Sequence, residues 1–186
     1  KGTTVDGCEQ KDSIFIFLSE TKKPDIGPDI QACEPFSVTL DPGKYAGYVW
    51  STGSIEPTID VNKTGLYSVA TYDKFGCPTR DTMKLTVFPV PKITMTENSL
   101  SCGSKSRTLN LKFENADENM LATGQMEWKT LQPGKLTFKN QTKTSTDIEV
   151  TDWGSYDVTY KFTTADNCEI SNTLHLTFFE TPTADI

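Results

Sequence analysis

One twelve-residue pattern occurs three times along this chain of 186 residues, and it limits the fold to strands built on hairpin turns. The copies are Gly7-Cys8-Glu-Gln-Lys-Asp12-Ser13-Ile14-Phe-Ile16-Phe-Leu18, Gly76-Cys77-Pro-Thr-Arg-Asp81-Thr82-Met83-Lys-Leu85-Thr-Val87 and Asn167-Cys168-Glu-Ile-Ser-Asn172-Thr173-Leu174-His-Leu176-Thr-Phe178. Each places Gly or Asn before a cysteine, Asp or Asn four residues after it, Ser or Thr next, and then alternating apolar residues. Alternation with a period of two marks a strand with one buried face. Gly and Asn tolerate the positive φ of a hairpin turn. Proline follows each copy at Pro24, Pro91 and Pro182, where it ends the strand and stiffens what comes next.

The spacing repeats too. Cys8 to Cys33 and Cys77 to Cys102 are both 25 positions. Repetition on this scale signals tandem modules. The reading is a module at 24–90 and a second, with an insertion, at 91–181. Residues 1–23 are then the last strand and linker of a preceding, truncated module, and 182–186 a linker to a following one. Inside the modules Tyr48-Val49-Trp50 aligns with Met126-Glu127-Trp128. Strand-turn-strand segments ending in Gly65-Leu66-Tyr67 and Gly154-Ser155-Tyr156 also align. A tyrosine so placed anchors its turn through the hydroxyl in sandwich domains, and a tryptophan in mid-strand fills the core between two sheets.

Predicted strands in the first module are Phe36–Leu40, Gly47–Ser51, Thr58–Val61, Leu66–Tyr72 and Thr82–Phe88. In the second they are Thr108–Phe113, Gln125–Leu131, Lys135–Lys139, Thr146–Val150, Ser155–Phe162 and Thr173–Phe179. Lys135–Lys139 uses the insertion, and Asn115–Gly124 is read as a short helical turn. Many short strands with regular turn signals predict an all-β fold of tandem β-sandwich modules.

Five cysteines without a CxxC pair, and a single histidine, argue against zinc and for structural disulfides in an oxidising compartment. The expected pairs are Cys33 with Cys77 and Cys102 with Cys168, one bridge inside each module, with Cys8 unpaired in this segment. Such bridges would stabilise each module by roughly 4 kcal/mol in the chain-entropy model. The pairing carries a condition. Cys33 must reach the pole of the sandwich where Cys77 sits, and a strand added before Cys33 would put it at the opposite pole. The rival pairing is Cys8 with Cys33.

The net charge of −7 argues against nucleic acid and anionic membrane as partners, and no apolar run approaches the roughly 20 residues of a membrane helix. No nucleophile motif, phosphate loop or dinucleotide fingerprint is present. His175 alternates with Leu174 and Leu176 and is read as exposed. Glu114, Asp117, Glu118, Asp147, Glu149 and Asp152 are read as solvated carboxylates, and no catalytic residue is assigned. Calcium is the one cofactor entertained, held between modules by turn oxygens of Asp25, Asp29 or Asp185. Trp50 and Trp128 belong to the core. Trp153, in the turn before Gly154, is the candidate for an exposed contact with a sugar or protein. Lys135, Lys139 and Lys143 read as a solvated face.

The run Cys33-x-x-Phe-Ser-Val-Thr-Leu40-Asp-x-Gly43, followed by Tyr48-Val-Trp50-Ser-Thr-Gly53, Ile59-x-Val61-x-x-x-Gly65-x-Tyr67-Ser-Val69 and Gly76-Cys77-x-x-x-Asp81-Thr82, resembles the Ig-like or PKD-like repeats of large secreted Bacteroidota surface proteins, including gliding-motility adhesins. Trp50-Ser51-Thr52-Gly53 is its most characteristic piece. The match extends over Cys33–Phe88 and weakens in the second module, which lacks the Ser-Thr-Gly. The resemblance implies type IX secretion, a cell-surface or secreted location, and a stalk or adhesive role without catalysis. Partners would be neighbouring modules of the same polypeptide, surface glycans or other surface proteins. It leaves open an accessory region of a secreted enzyme, or a docking module of a secretion or motility machine. It also implies O-glycosylation at Asp-Ser/Thr-apolar sites, matched by Ser13 and Thr82, although these residues equally serve to start the last strand.

Overall fold

The computed structural model describes residues 2–3, 5–7, 9–10, 13–14, 21–95 and 100–182. Sixteen strands and one helix are described: β1 (Gly2–Thr3), β2 (Glu9–Gln10), β3 (Ile30–Cys33), β4 (Val38–Leu40), β5 (Gly47–Trp50), β6 (Ile59–Val61), β7 (Gly65–Tyr72), β8 (Pro78–Phe88), β9 (Lys92–Met95), β10 (Leu100–Cys102), β11 (Ser106–Glu114), α1 (Glu118–Thr123), β12 (Gln125–Thr130), β13 (Leu136–Lys139), β14 (Ser145–Val150), β15 (Gly154–Thr163) and β16 (Glu169–Phe179). The architecture is the predicted all-β, Ig-like one. The chain forms two compact units. One comprises Lys1–Ile30, Ser37–Val61 and Gly65–Leu85, and the other Gln31–Phe36, Asn62–Thr64 and Thr86–Ile186.

The first unit holds β4 to β7 and most of β8, in a sheet of order β3-β8-β7-β5 and a two-stranded sheet, β4-β6, while Gln31–Cys33 of β3 and the last residues of β8 belong to the second unit. The first unit's buried side chains come from both sheets: Leu40 and Val61 from the pair, and Trp50, Val69, Met83 and Leu85 from the larger sheet. Met83 and Leu85 are the alternating apolar positions of the repeated pattern. The Asp of that pattern, Asp81, has a structural duty, because its Oδ2 accepts the Ile26 backbone N–H at 2.9 Å. One turn further on, the Asp29 carboxylate accepts the Lys84 N–H at 2.8 Å. Two carboxylates thus pin the segment around buried Pro24 and Ile26 along β8.

The second unit pairs the sheets β10-β16-β15-β12 and β13-β14-β11-β9. Their inner faces meet in a cluster containing Leu109, Trp128, Ile148, Val158, Tyr160, Phe162, Leu176 and Phe178. Trp50 and Trp128 are both core residues, and each indole N–H finds a carbonyl, that of Glu56 at 2.8 Å and that of Thr142 at 3.3 Å. The Tyr156 hydroxyl donates to the Asp152 carbonyl at 2.8 Å, the anchored turn read from the sequence. α1 occupies the expected helical turn, with Asp117 as N-cap accepting from the Met120 N–H. At its other end the Lys143 ammonium donates to the Leu121 and Ala122 carbonyls. That is where a cation is favoured, so this lysine is more than part of a solvated face.

All eleven strands predicted for the two modules are present. The missed ones, β3, β9 and β10, are each the outermost strand of a sheet. An outermost strand bonds on one side only, so three or four residues without clean alternation suffice. The first copy of the pattern is described at its start. It has a partner strand: Gly2 pairs with Gln10 and Thr3 with Glu9, just as Tyr72 pairs with Pro78 and Thr163 with Glu169 in the later copies. The expected strand Ser13–Leu18 and the unpaired Cys8 fall largely outside the described residues. Ser13 and Ile14, which are described, lie in neither strand nor helix.

Gly124 ends α1 against Phe162, which is fully buried. A Cβ there would lie 2.2 Å from the phenyl ring and 2.8 Å from the Met120 carbonyl oxygen. Gly124→Ala is therefore expected to destabilise the fold by about 1–3 kcal/mol through overpacking. An unchanged urea midpoint would refute the contact.

Candidate functional site

Among the described residues the grooves are shallow and open, and the chemistry-bearing side chains lie apart from one another. The cysteines occupy two kinds of position. Cys77 and Cys168 sit in identical turns before the long strands β8 and β16. The Asp73 N–H donates to the Cys77 carbonyl at 3.2 Å and the Gly76 N–H to the Asp73 carbonyl at 3.0 Å. The counterparts are Thr164 to Cys168 at 2.9 Å and Asn167 to Thr164 at 3.0 Å. Gly76 and Asn167 hold φ of 81° and 60°, the conformation this turn requires. The turn's second anchor is the side chain at its start. Asp73 Oδ1 accepts the Cys77 N–H at 2.8 Å, and Thr164 Oγ1 accepts that of Cys168 at 3.1 Å.

Cys33 and Cys102 occupy the other kind, at the ends of the edge strands β3 and β10. The residue after each donates its N–H to the last residue of the long strand: Glu34 to Phe88 and Gly103 to Phe179, both at 2.9 Å. Each long strand has eleven residues, so its two ends lie on the order of 34 Å apart. A disulfide requires Cα atoms within about 7 Å. Neither Cys33–Cys77 nor Cys102–Cys168 meets that condition, and both expected pairings are corrected. The reason is the pair of unpredicted edge strands, which carry Cys33 and Cys102 to the opposite pole. The structure instead joins Cys33 to Cys168, with a Cα separation of 5.7 Å, across 135 positions. Both cysteines lie in the larger unit. Cys77 and Cys102 are exposed thiols.

The remaining candidates are occupied by the fold. Thr82 is exposed on β8, and its neighbour Asp81 is taken up by Ile26. Trp153 does not stand free as a contact. It is half-buried against the core, and the Lys105 ammonium lies 5.2 Å from its ring centroid. His175 is exposed and meets Asp157 across the strands at 2.5 Å. Asp25 and Asp29 accept backbone N–H groups of Gly27 and Lys84, and Asp185 lies outside the described residues. Among the described residues no three His, Cys, Asp or Glu side chains are grouped to hold a metal. No helix among them is long and apolar enough to cross a membrane.

A shallow groove of about 300 Å³ on β11, β13 and β14 is lined by Arg107, Thr108, Lys139, Asp147 and Glu149 among others. Its charged side chains already have partners, Arg107 donating to the Leu100 carbonyl at 3.2 Å. Lys139 binds Glu149, and Asp147 accepts from Thr108 at 2.6 Å and Asn140 at 2.8 Å. The Thr108 hydroxyl, and then the Asn140 amide, hold the Asp147 carboxyl below its ordinary value. Glu114 is likewise lowered, first by its hydrogen bond to Lys112 and then by Lys92.

No protein-family model matches the chain, and no curated protein is similar to it. Solved structures similar to it include the insect immune protein hemolin, at 15% identity and a TM-score of 0.46, covering 88% of this chain and 48% of that one. Extracellular domains 3–5 of Drosophila OTK match at 10% identity and 0.45, covering 84% and 60%. Immunoglobulin domains 1–4 of Sidekick-1 match at 12% and 0.37, covering 84% and 47%. The chain thus spans about half of the hemolin structure's length and less than two thirds of the OTK structure's.

Non-reducing peptide mapping should recover Cys33 linked to Cys168, and Cys33 linked to Cys77 would overturn the topology. Cys33→Ser should cost about 5 kcal/mol at most, the chain-entropy value for so long a loop, read as a lowered urea midpoint. For Asp147 the native carboxyl is the stronger acid, so its contribution is present above the unfolded value near pH 4 and fades as pH falls through the native value. Thr108→Val should raise the Asp147 pKa, measured by NMR titration, and flatten the loss of stability on acidification below about pH 4.

Proposed function

We propose that this chain is a segment of a large repetitive cell-surface adhesin of the Bacteroidota type, exported by type IX secretion, in which Ig-like modules serve as stalk and adhesive units. The observation that carries the reading is the reuse of one cysteine turn and one cysteine edge strand, with the same backbone hydrogen bonds in successive repeats. An array gains from such reuse, because each module offers the same two ends. The Trp50-Ser51-Thr52-Gly53 turn supports the resemblance. The Gly53 N–H donates to Trp50 and the Ser51 N–H to Ser68, which seats the indole beneath the turn. Sheets so built hold the loops at module ends, where binding residues concentrate in such folds. The role is mechanical and adhesive, without catalysis.

Antibodies raised against this chain provide the test. They are expected to label intact native cells and to detect a polypeptide well above 20.7 kDa. A band at 20.7 kDa, or labelling only after lysis, would overturn the proposal.

A further inference from the structure

Cys77 and Cys102 are the uncovered counterparts of the two bonded cysteines. Cys77 has the turn of Cys168, hydrogen bond for hydrogen bond, and Cys102 has the strand end of Cys33. Burial separates bonded from unbonded. Cys168 is 0% exposed and Cys33 half-buried, whereas Cys77 and Cys102 are exposed. The surroundings follow the same division. Phe88, at the strand end beside Cys33, is half-buried. Its counterpart beside Cys102, Phe179, is 48% exposed, with Leu100 of the same edge strand at 51%. The turn of Cys77 likewise presents Phe75 at 61% exposure. Each thiol therefore stands beside apolar surface that a partner would cover.

We infer that Cys102 is the acceptor for a turn cysteine of the Cys77/Cys168 type in another module, and that Cys77 is the donor turn for a strand-end cysteine of the Cys33/Cys102 type. The bond Cys33–Cys168 is one instance of a rule. The strand-end cysteine of one repeat takes the turn cysteine of the next, so a covalent seam runs along the array. The pairing is heterologous: a turn meets a strand end, never its own kind. Two copies of this chain therefore supply one compatible kind of pair, Cys102 of one copy with Cys77 of the other. Head-to-tail joining of this sort gives an open row of copies, or a ring where the rotation closes.

The bond needs an oxidant, and a small disulfide such as oxidised glutathione supplies it. One cysteine thiolate attacks the glutathione disulfide, forming a mixed disulfide and releasing one glutathione thiol. The second thiolate then displaces the other glutathione. Two thiol protons and two electrons leave the protein, and one disulfide is reduced to two thiols.

The test uses the whole chain carrying Cys8→Ser, so that the third turn cysteine does not compete, incubated with oxidised glutathione and mapped without reduction. The expected result is intermolecular Cys102–Cys77 in at least about tenfold excess over either symmetric bridge, with Cys33–Cys168 intact. Adding Cys77→Ser to one preparation and Cys102→Ser to another should leave each largely monomeric. Mixing the two should give a dimer and nothing longer. Both positions are exposed, and circular dichroism checks that the variants remain folded. Symmetric Cys77–Cys77 or Cys102–Cys102 bridges at comparable yield, an intramolecular Cys77–Cys102 bond, or no bridging would each overturn the inference. The seam rests on the array reading but fails separately from it, since none of these outcomes alters the size or surface display of the native polypeptide.

Discussion

An eleven-residue strand is longer than any disulfide can reach across, and the rest of the covalent organisation depends on that fact. β8 and β16 each begin at a turn cysteine and end beside an edge-strand cysteine. The two sulfurs that neighbour one long strand are held at its opposite ends. A bond inside one repeat would require breaking the sheet that the repeated pattern builds. Neither turn cysteine can therefore bond the strand-end cysteine beside its own long strand, and the bond that forms, Cys33–Cys168, spans 135 positions. In the chain-entropy picture a longer loop gives a larger effect, though only logarithmically. The gain over shorter bridges is modest, and the difference lies in which parts of the chain are tied together.

The polar residues of the repeated pattern fix where those ends fall. Asp81 accepts from Ile26 and Asp29 from Lys84, which lays the incoming segment along β8 before it turns into β3. In the second unit the same place is held by an aromatic residue. The buried Tyr160 hydroxyl donates to the Ile93 carbonyl at 3.1 Å, and burial pushes its phenol pKa up, so it stays a donor. One repeat uses a carboxylate on a backbone N–H, the other a phenol on a backbone carbonyl. Both bring a buried isoleucine to the start of the module.

The strands that alternate were legible in the sequence because burial of one face imposes the period of two. β15 shows it throughout, and β8 and β16 show it at Met83 and Leu85 and at Leu176 and Phe178. What could not be read were β3 and β10. Ile30-Gln31-Ala32-Cys33 and Leu100-Ser101-Cys102 are too short to show a period, and they take their place by bonding to a strand about fifty or more positions away. The cysteine pairing failed for that reason alone, since the condition placed on it turned on a strand before Cys33. Trp153 belongs to the same class, because a turn position leaves its exposure to Lys105 and to the core it packs against. The 25-position spacing of Cys8–Cys33 and Cys77–Cys102 was the available signal for the true organisation. It relates a turn cysteine to the strand-end cysteine that follows it in the chain, the two kinds of position that Cys77 and Cys102 occupy.

The two turns show what the sequence is free to change. Gly76 and Asn167 both reach positive φ, one for want of a side chain and the other with a side chain that tolerates it. Asp73 and Thr164 both bond the cysteine N–H, one through a carboxylate and the other through a hydroxyl. Chemically different residues thus deliver one backbone path. Because that path sets where the sulfur points, the geometry of the cysteine survives substitution at most positions around it. A cysteine so placed does not depend on the identity of the module that carries it, and that independence is what lets the turn of one repeat fit the strand end of another.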